Sequence, residues 1–218
     1  MTEARTAILN AIRNALHRAR TGQDFQLWQG RAAANQAGLL LKPAVEGDCV
    51  AHFTRRITAT GATLVRLTSV DAIPSAVRTF LDEYGLEHTL VRAALPALDA
   101  LPWPPDLEVS VRPAMAADRT SLTGVLAAIA ETGSLVVASA QHSPNTLHFL
   151  PENHIALVQT SQVLRHLEDV WQRVRERSGG MPRALTFITG PSRTADVEQT
   201  IQIGAHGPRR LHVILVEA

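Results

Sequence analysis

The sequence predicts an α/β protein: an open, mostly parallel sheet flanked by helices. Three observations predict it. Runs such as Ser134-Leu-Val-Val-Ala138 and Leu211-His-Val-Ile-Leu-Val216 are apolar on both alternating faces, which suits strands covered on both sides. These runs alternate with stretches of helical periodicity. The chain has 218 residues, 45% of them hydrophobic and 19% charged, which is enough for one substantial core and too apolar for disorder.

Taken in order, Met1 to Ala19 places Ala4, Ala7, Ile8, Ala11, Ile12, Ala15, Leu16 and Ala19 at the three-and-four spacing of one helical stripe. Glu3, Arg5, Arg13 and His17 interrupt that stripe, so it reads as a mature helix rather than a leader. Thr21 to Gly47 has little pattern, and residues 1–46 are expected to form a helical arm ahead of an α/β domain over 47–218. In that domain a helix is expected around Cys49, Val50, Phe53 and Ile57, a strand over Ala62 to Leu67, and a helix from Asp71 to Tyr84. Strands at Glu87 to Val91 and Leu107 to Val111 flank an irregular connection rich in proline, Leu95 to Pro105. A helix of small residues, Leu122 to Ala130, is expected to end at Gly133 and lead into the strand Ser134 to Ser139. Gln141 to Glu152 reads as a loop, His154 to Gln159 as a strand and Ser161 to Arg177 as a helix. The strand Ala184 to Thr189 is expected to pass through Gly190-Pro191 into another helix, and Leu211 to Glu217 closes the domain as a strand. In open α/β sheets ligands collect at the carboxyl ends of strands, so the loops after Ser139 and Thr189 are the expected approaches to a site.

Composition removes several classes of function. Twenty-one basic residues stand against 20 acidic ones, a formal charge of +1, which argues against a nucleic-acid partner. Apolar windows such as Val125 to Ala130 fall well short of the roughly 18 residues that span a bilayer, so no membrane segment is expected. Cys49 is the single cysteine, which excludes an internal disulfide and a self-contained iron–sulfur cluster with its four thiolates, and points to a cytoplasmic setting. Lys42, the single lysine, sits beside Pro43 in a context unsuited to Schiff-base chemistry. There is no Gly-x-Gly-x-x-Gly, Walker loop or Gly-x-Ser-x-Gly elbow.

Two junctions carry the candidate chemistry. In Phe187-Ile-Thr-Gly-Pro-Ser-Arg-Thr-Ala-Asp-Val-Glu198 a strand turning into a helix would aim amides at an anion, with Gly190 and Pro191 making the turn and Ser192, Arg193 and Thr194 adding hydroxyls and a guanidinium. The alternative is ordinary capping, in which Ser192 or Thr194 is the N-cap and Asp196 favours the first turn; only Arg193 exceeds that explanation. At the second junction, Glu131-Thr132-Gly133-Ser134, Gly133 fits a helix C-cap, yet Glu131 would lie at the wrong end of the helix dipole, which makes it a functional candidate unless it is simply exposed. His142, His148 and His154 cluster in sequence, but their six-residue spacing fits no common metal-ligand pattern, and no metal site is expected. His206, in Gly204-Ala-His-Gly-Pro208, either faces a ligand or sits in a turn.

Thr189-Gly-Pro-Ser-Arg-Thr-Ala-Asp-Val-Glu198, Gly204-Ala-His-Gly-Pro208 and the terminal apolar run closely resemble the LUD-domain family of lactate utilization proteins. Ala130-Glu-Thr-Gly-Ser-Leu135 and Leu150-Pro-Glu-Asn-His-Ile155 look like further signatures of that family, so the match runs from Ser121 onward. Gln141 and His142 depart from it, standing where an arginine is expected. The resemblance implies a fold similar to the NagB/RpiA/CoA-transferase-like group and a part in oxidising L-lactate to pyruvate in a bacterial system. It implies that the partner proteins carry the iron–sulfur clusters, with no cofactor in this chain. On that basis the chain is expected to be a binding or assembly subunit holding a small carboxylate or phosphate-bearing ligand at Gly190 to Asp196, with Thr132, Gly133, Ser134, His154 and His206 nearby. The alternative it implies is a CoA-transferase-like enzyme with Glu131 as carboxylate nucleophile.

Overall fold

The structure, a computed structural model, describes residues 5–12, 14, 42–177, 180–195, 201–204 and 206–217. The chain divides into two units, residues 1–42 and 43–218. In the first, residues 5–12 are helical and exposed, and the rest of the expected arm helix lies outside the described residues.

The second unit is built on six parallel strands. β1 (Thr63–Leu67), β2 (Thr89–Arg92), β3 (Glu108–Val111), β4 (Thr120–Gly124), β7 (Asn153–Gln159) and β12 (Arg210–Val216) lie in the order β1-β12-β7-β4-β2-β3. β7 and β12 are the centre, in register from Asn153 opposite Arg210 to Gln159 opposite Val216. Their side chains alternate between two buried faces, which is why both read as unbroken apolar runs. Ile155, Ile214 and Val216 join a core with Phe80, Val77 and Leu81 of α2 (Ile73–Glu83). Ala156, Val158, Leu211, Val213 and Leu215 join the other core with Phe53 and Ile57 of α1 (Cys49–Ala59). Asp48 caps α1 by accepting from the amides of Val50 and Ala51 at 3.2 and 3.0 Å. Val45 belongs to the same core, and Cys49 packs against it partly buried.

The fold class is the one the apolar runs predict, and four local expectations are corrected. Leu122 to Ala130 is not a helix. It holds β4, between β2 and β7, and β5 (Ala127–Ile129), because strand partners on both sides outweigh the helix propensity of its alanines. The strand at Ser134, β6 (Ser134–Ala138), and the strand before Gly190, β9 (Leu185–Ile188), do not belong to the parallel sheet. They form a second, four-stranded sheet with β5 and β8 (Val163–Leu164), in the order β8-β5-β6-β9 and mainly antiparallel. The helix expected from Ser161 starts only at α5 (Asp169–Arg175), because Val163 and Leu164 pair with Ala128 and Ile129. α5 then buries Val170 and Val174 on the outer face of this second sheet, against Ile129 and Val136.

The fourth correction concerns the segment after Gly190. Arg193–Ala195 is a strand, β10, paired antiparallel with β11 (Ile201–Ile203), so no helix begins at Ser192. Two short helices complete the unit. α3 (Pro96–Asp99) has proline in its first turn, where the missing N–H is no loss, and α4 (Thr146–Phe149) lies inside the expected loop before β7.

Candidate functional site

Where β7 and β12 begin, His154 stands opposite Leu211 in register. The end of β9 and the turn at His206–Pro208 close over that spot and leave a cavity of about 210 Å³. Backbone bonds fix the lid: the Ser192 amide donates to the Pro208 carbonyl at 2.8 Å, and the Gly204 amide to the Ser192 carbonyl at 2.9 Å. Phe149, Phe187 and Ile188 make the apolar wall, while His148, His154, Thr189, Ser192 and His206 supply the polar one. Among the described residues that line it there is no lysine, arginine, aspartate or glutamate. The cavity therefore sits where the carboxyl end of β9 and the loop between β6 and β7, the two approaches expected from the sequence, meet the amino-terminal ends of two central strands of the parallel sheet.

Behind the polar wall runs a chain of hydrogen bonds. The Thr123 hydroxyl meets His154 Nε2 at 2.8 Å and His148 Nδ1 at 3.3 Å, and His148 Nε2 meets the Ser143 hydroxyl at 3.3 Å. The two rings lie edge to face, 5.6 Å between centroids. Burial pushes the His154 imidazole down to about 3, the nearby His148 adding to the effect, and burial pushes His148 down to about 4. Both rings are thus uncharged at neutral pH. His154 Nδ1 is buried and has no partner among the described residues. A buried polar atom left unmet costs about 1–3 kcal/mol, and this nitrogen belongs to a ring that lines the cavity. A second chain of hydroxyls, Thr132 to Ser134 at 2.7 Å and Ser134 to Thr189 at 2.7 Å, ends at the cavity.

The expected site residues are therefore divided. His154, Gly190, Ser192 and His206 line the cavity, and Thr132 and Ser134 reach it through Thr189. Arg193 does not line it. It is exposed and donates from Nη2 to the Thr60 carbonyl at 2.7 Å, and with the helix absent its role as anion anchor loses its basis. Pro191 shapes the turn, the backbone of Thr194 belongs to β10, and Asp196 lies outside the described residues. Glu131 and Gly133 sit in a hairpin turn between β5 and β6, not at a helix end. The carboxylate of Glu131 is engaged by His166 Nδ1 at 3.1 Å and by the Leu167 amide at 3.4 Å, and it does not line the cavity.

Sequence reasoning missed Thr189, Phe149 and Thr123, and left His148 without a role. The available signal was the spacing of His148 and His154, which the short α4 converts into two rings on one face. Among the described residues no group of three or more His, Cys, Asp or Glu side chains could hold a metal ion.

Fold and site together define an α/β domain in which a smaller sheet covers part of a parallel one and encloses a small cavity walled by hydroxyl, imidazole and aromatic groups. A family model described as the LUD domain matches residues 46–216, and the chain belongs to that family. A relative named lactate utilization protein C from Deinococcus radiodurans is 31% identical over 185 residues, covering 80% of this chain and 82% of the relative. An uncharacterised protein of Neisseria meningitidis serogroup B is 35% identical over 94 residues, which are 43% of this chain and 40% of the relative. A lactate utilization protein C from Geobacillus thermodenitrificans is 35% identical over 91 residues, 40% of this chain and 38% of the relative. The chain thus spans about two fifths of the length of these last two relatives. The crystal structure of a DUF162 family protein from Deinococcus radiodurans shares the fold, with a TM-score of 0.58 and 24% identity, over 80% of this chain and 99% of that one.

Proposed function

We propose that this chain is a component of a bacterial system oxidising L-lactate to pyruvate, and that it acts in the cytoplasm as a binding or assembly subunit beside iron–sulfur partner proteins. The names of its relatives support the lactate assignment, the Deinococcus radiodurans relative most strongly because so much of it is covered. The observation that carries the binding role is the wall chemistry of the 210 Å³ cavity, with hydroxyl and imidazole groups on one side and aromatic and aliphatic surface on the other. A short 2-hydroxy or 2-keto acid has the same two halves. The cavity is smaller than the roughly 300–1,000 Å³ of sites for drug-sized ligands, which favours a three-carbon acid. With no lysine or arginine among the described residues of its wall it suits a singly charged carboxylate better than a phosphate dianion, so of the two expected ligand classes the carboxylate is preferred. Electron transfer is assigned to the partners because one thiol, Cys49, cannot hold a cluster that needs four. Among the described residues no helix is long and apolar enough to cross a membrane.

Calorimetric titration with pyruvate and L-lactate tests the cavity. One of the two acids is expected to bind, and at 100 times its Kd it should add about 2.7 kcal/mol of stability. His154→Gln and Thr189→Val should each weaken that binding tenfold or more, whereas Arg193→Ala should leave it unchanged. Binding of neither acid would defeat the assignment of the cavity. For the division of labour, the purified chain alone is expected to show no L-lactate-dependent reduction of an artificial electron acceptor. Turnover by the chain alone would make it an enzyme in its own right.

A further inference from the structure

The opposite, carboxyl edge of the parallel sheet contains a feature that the lactate reading does not use. β2 leads outward to β3 on one side, whereas β4 leads through the second sheet to β7 on the other, and β2 and β4 are neighbours. Where adjacent parallel strands send their chains in opposite directions a crevice opens at their carboxyl ends, and ligands of open α/β sheets bind in such crevices. Two adjoining cavities occupy this one and share His142 as a common wall. The first, about 180 Å³, is lined by Arg92, Arg112 and Gln141; the second, about 200 Å³, by Leu95, Val125 and Leu126 together with Ser143 and Arg177. The Ala94 amide donates to the His142 carbonyl at 2.9 Å and ties the loop that carries this wall to the end of β2.

Arg92, the last residue of β2, is the unusual one. Its side chain is 6% exposed. It donates from Nη2 to Asp99 at 2.6 Å and from Nη1 to the Ala93 carbonyl at 3.1 Å, but its buried Nε has no partner among the described residues. A guanidinium has five N–H donors, and burying one incompletely paired is unfavourable unless a ligand completes the set. Arg112 is held differently. Asp118 accepts from both of its terminal nitrogens, at 2.6 and 2.8 Å, and the Pro113 carbonyl accepts from Nη1 at 3.2 Å, which holds the guanidinium in place and leaves its Nε side without a bond among the described residues. Neither Asp99 nor Asp118 lines the cavity that the two arginines share.

We propose that this crevice is a second binding site, separate from the carboxylate cavity, for a phosphate monoester, with the phosphoryl group between Arg92 and Arg112 and the organic group beyond His142 against Leu95, Val125 and Leu126. Two guanidiniums on one cavity can share the three terminal oxygens of a dianionic group through the N–H donors that Asp99 and Asp118 leave over, whereas a carboxylate has only two oxygens to share. The cavity under β9 and this arginine-walled one thus divide two kinds of anion between opposite ends of the same sheet.

Phenyl phosphate, whose ring would lie against Leu95, Val125 and Leu126, and inorganic phosphate are the probes, titrated by calorimetry into the full chain and followed by amide NMR shifts. Phenyl phosphate is expected to bind at least tenfold more tightly than inorganic phosphate and to shift amides at 92–94, 111–113 and 141–143. Arg112→Gln should weaken both probes tenfold or more, and Thr189→Val, at the other cavity, neither. Should Arg112→Gln fail to fold, Arg112→Lys keeps the charge and loses the fork, and the same weakening is expected of it. No saturable binding, binding indifferent to the Arg112 variants, or shifts confined to 186–190 would each overturn the proposal. Because pyruvate binding is measured in the same samples, failure here leaves the carboxylate reading standing.

Discussion

Gly133→Ala is expected to lower the stability of the α/β unit by about 2–5 kcal/mol, the sum of a left-handed backbone imposed on an L side chain and a steric collision. Gly133 has φ 69°, a conformation that glycine adopts freely. A Cβ there would stand 2.6 Å from the Ile57 amide nitrogen and 2.7 Å from the Arg56 carbonyl carbon, both backbone atoms of α1. α1 has no freedom to withdraw. Ile57 and Phe53 are fully buried, His52 Nδ1 is bonded to the Ala130 carbonyl at 2.8 Å, and Arg56 Nε donates to the Glu131 carbonyl at 3.1 Å. The hairpin turn and the helix are therefore latched to each other through the atoms that a methyl group would push apart. Gly85 is the control: its φ is 60°, but nothing lies within 4 Å of its would-be Cβ, so Gly85→Ala should cost only about 1–2 kcal/mol from the backbone. Urea denaturation at constant m resolves the two. If both variants lose the same amount, the close approach of α1 to the turn is wrong.

The second large effect is acid unfolding. Burial holds His148 and His212 down to about 4 and His154 to about 3, against 6.5 for the free side chain. Each is neutral in the native protein where the unfolded chain would carry a proton. Stability from these groups is therefore complete above pH 6.5 and is lost as pH falls toward the native values. Between about pH 6 and pH 4 the unfolded state binds up to three more protons than the native state. The slope approaches about 4 kcal/mol per pH unit, enough to exhaust a typical 5–15 kcal/mol of stability before the ordinary carboxylates titrate. Asp82, Asp106 and Asp118, held low by Arg78 and Arg112, have the same sign but act at lower pH. The midpoint of urea unfolding followed from pH 7.5 to pH 4.5 measures the proton uptake. His212→Phe, which keeps the stack on Phe80 at 4.6 Å and gives up only the bond to Thr63, should remove about one proton from it. A wild-type uptake below one proton would mean that these rings are not buried as described.

Legibility in the sequence followed the range of the interactions involved. β7 and β12 were plain because both faces of a central parallel strand are buried, and their residues record that as unbroken apolar runs. Leu122 to Ala130 misled because small apolar residues satisfy both a helical and an extended period, and only the β2 and β7 partners decide between them. The turn at Gly190 misled for a related reason. Ser192, Arg193 and Thr194 make as good a helix start as any, and what overrides it is the pairing of β10 with β11. Of the candidate site, the histidine and the hydroxyls were recognised by type, while their convergence was not, because His154, Thr189 and Pro208 come together only once the second sheet has folded over the first.

The sequence by itself determined the class of fold, the family, and the absence of a thiolate set for an iron–sulfur cluster, since composition, local periodicity and contiguous motifs are properties of neighbouring residues. The tertiary structure alone decided that six strands form one sheet and four another, that Arg193 bonds the Thr60 carbonyl outside the cavity, and that His148 and His154 are buried together. Strand partners and buried hydrogen bonds join residues far apart in the chain, and their energies are settled only when water has been excluded from between them.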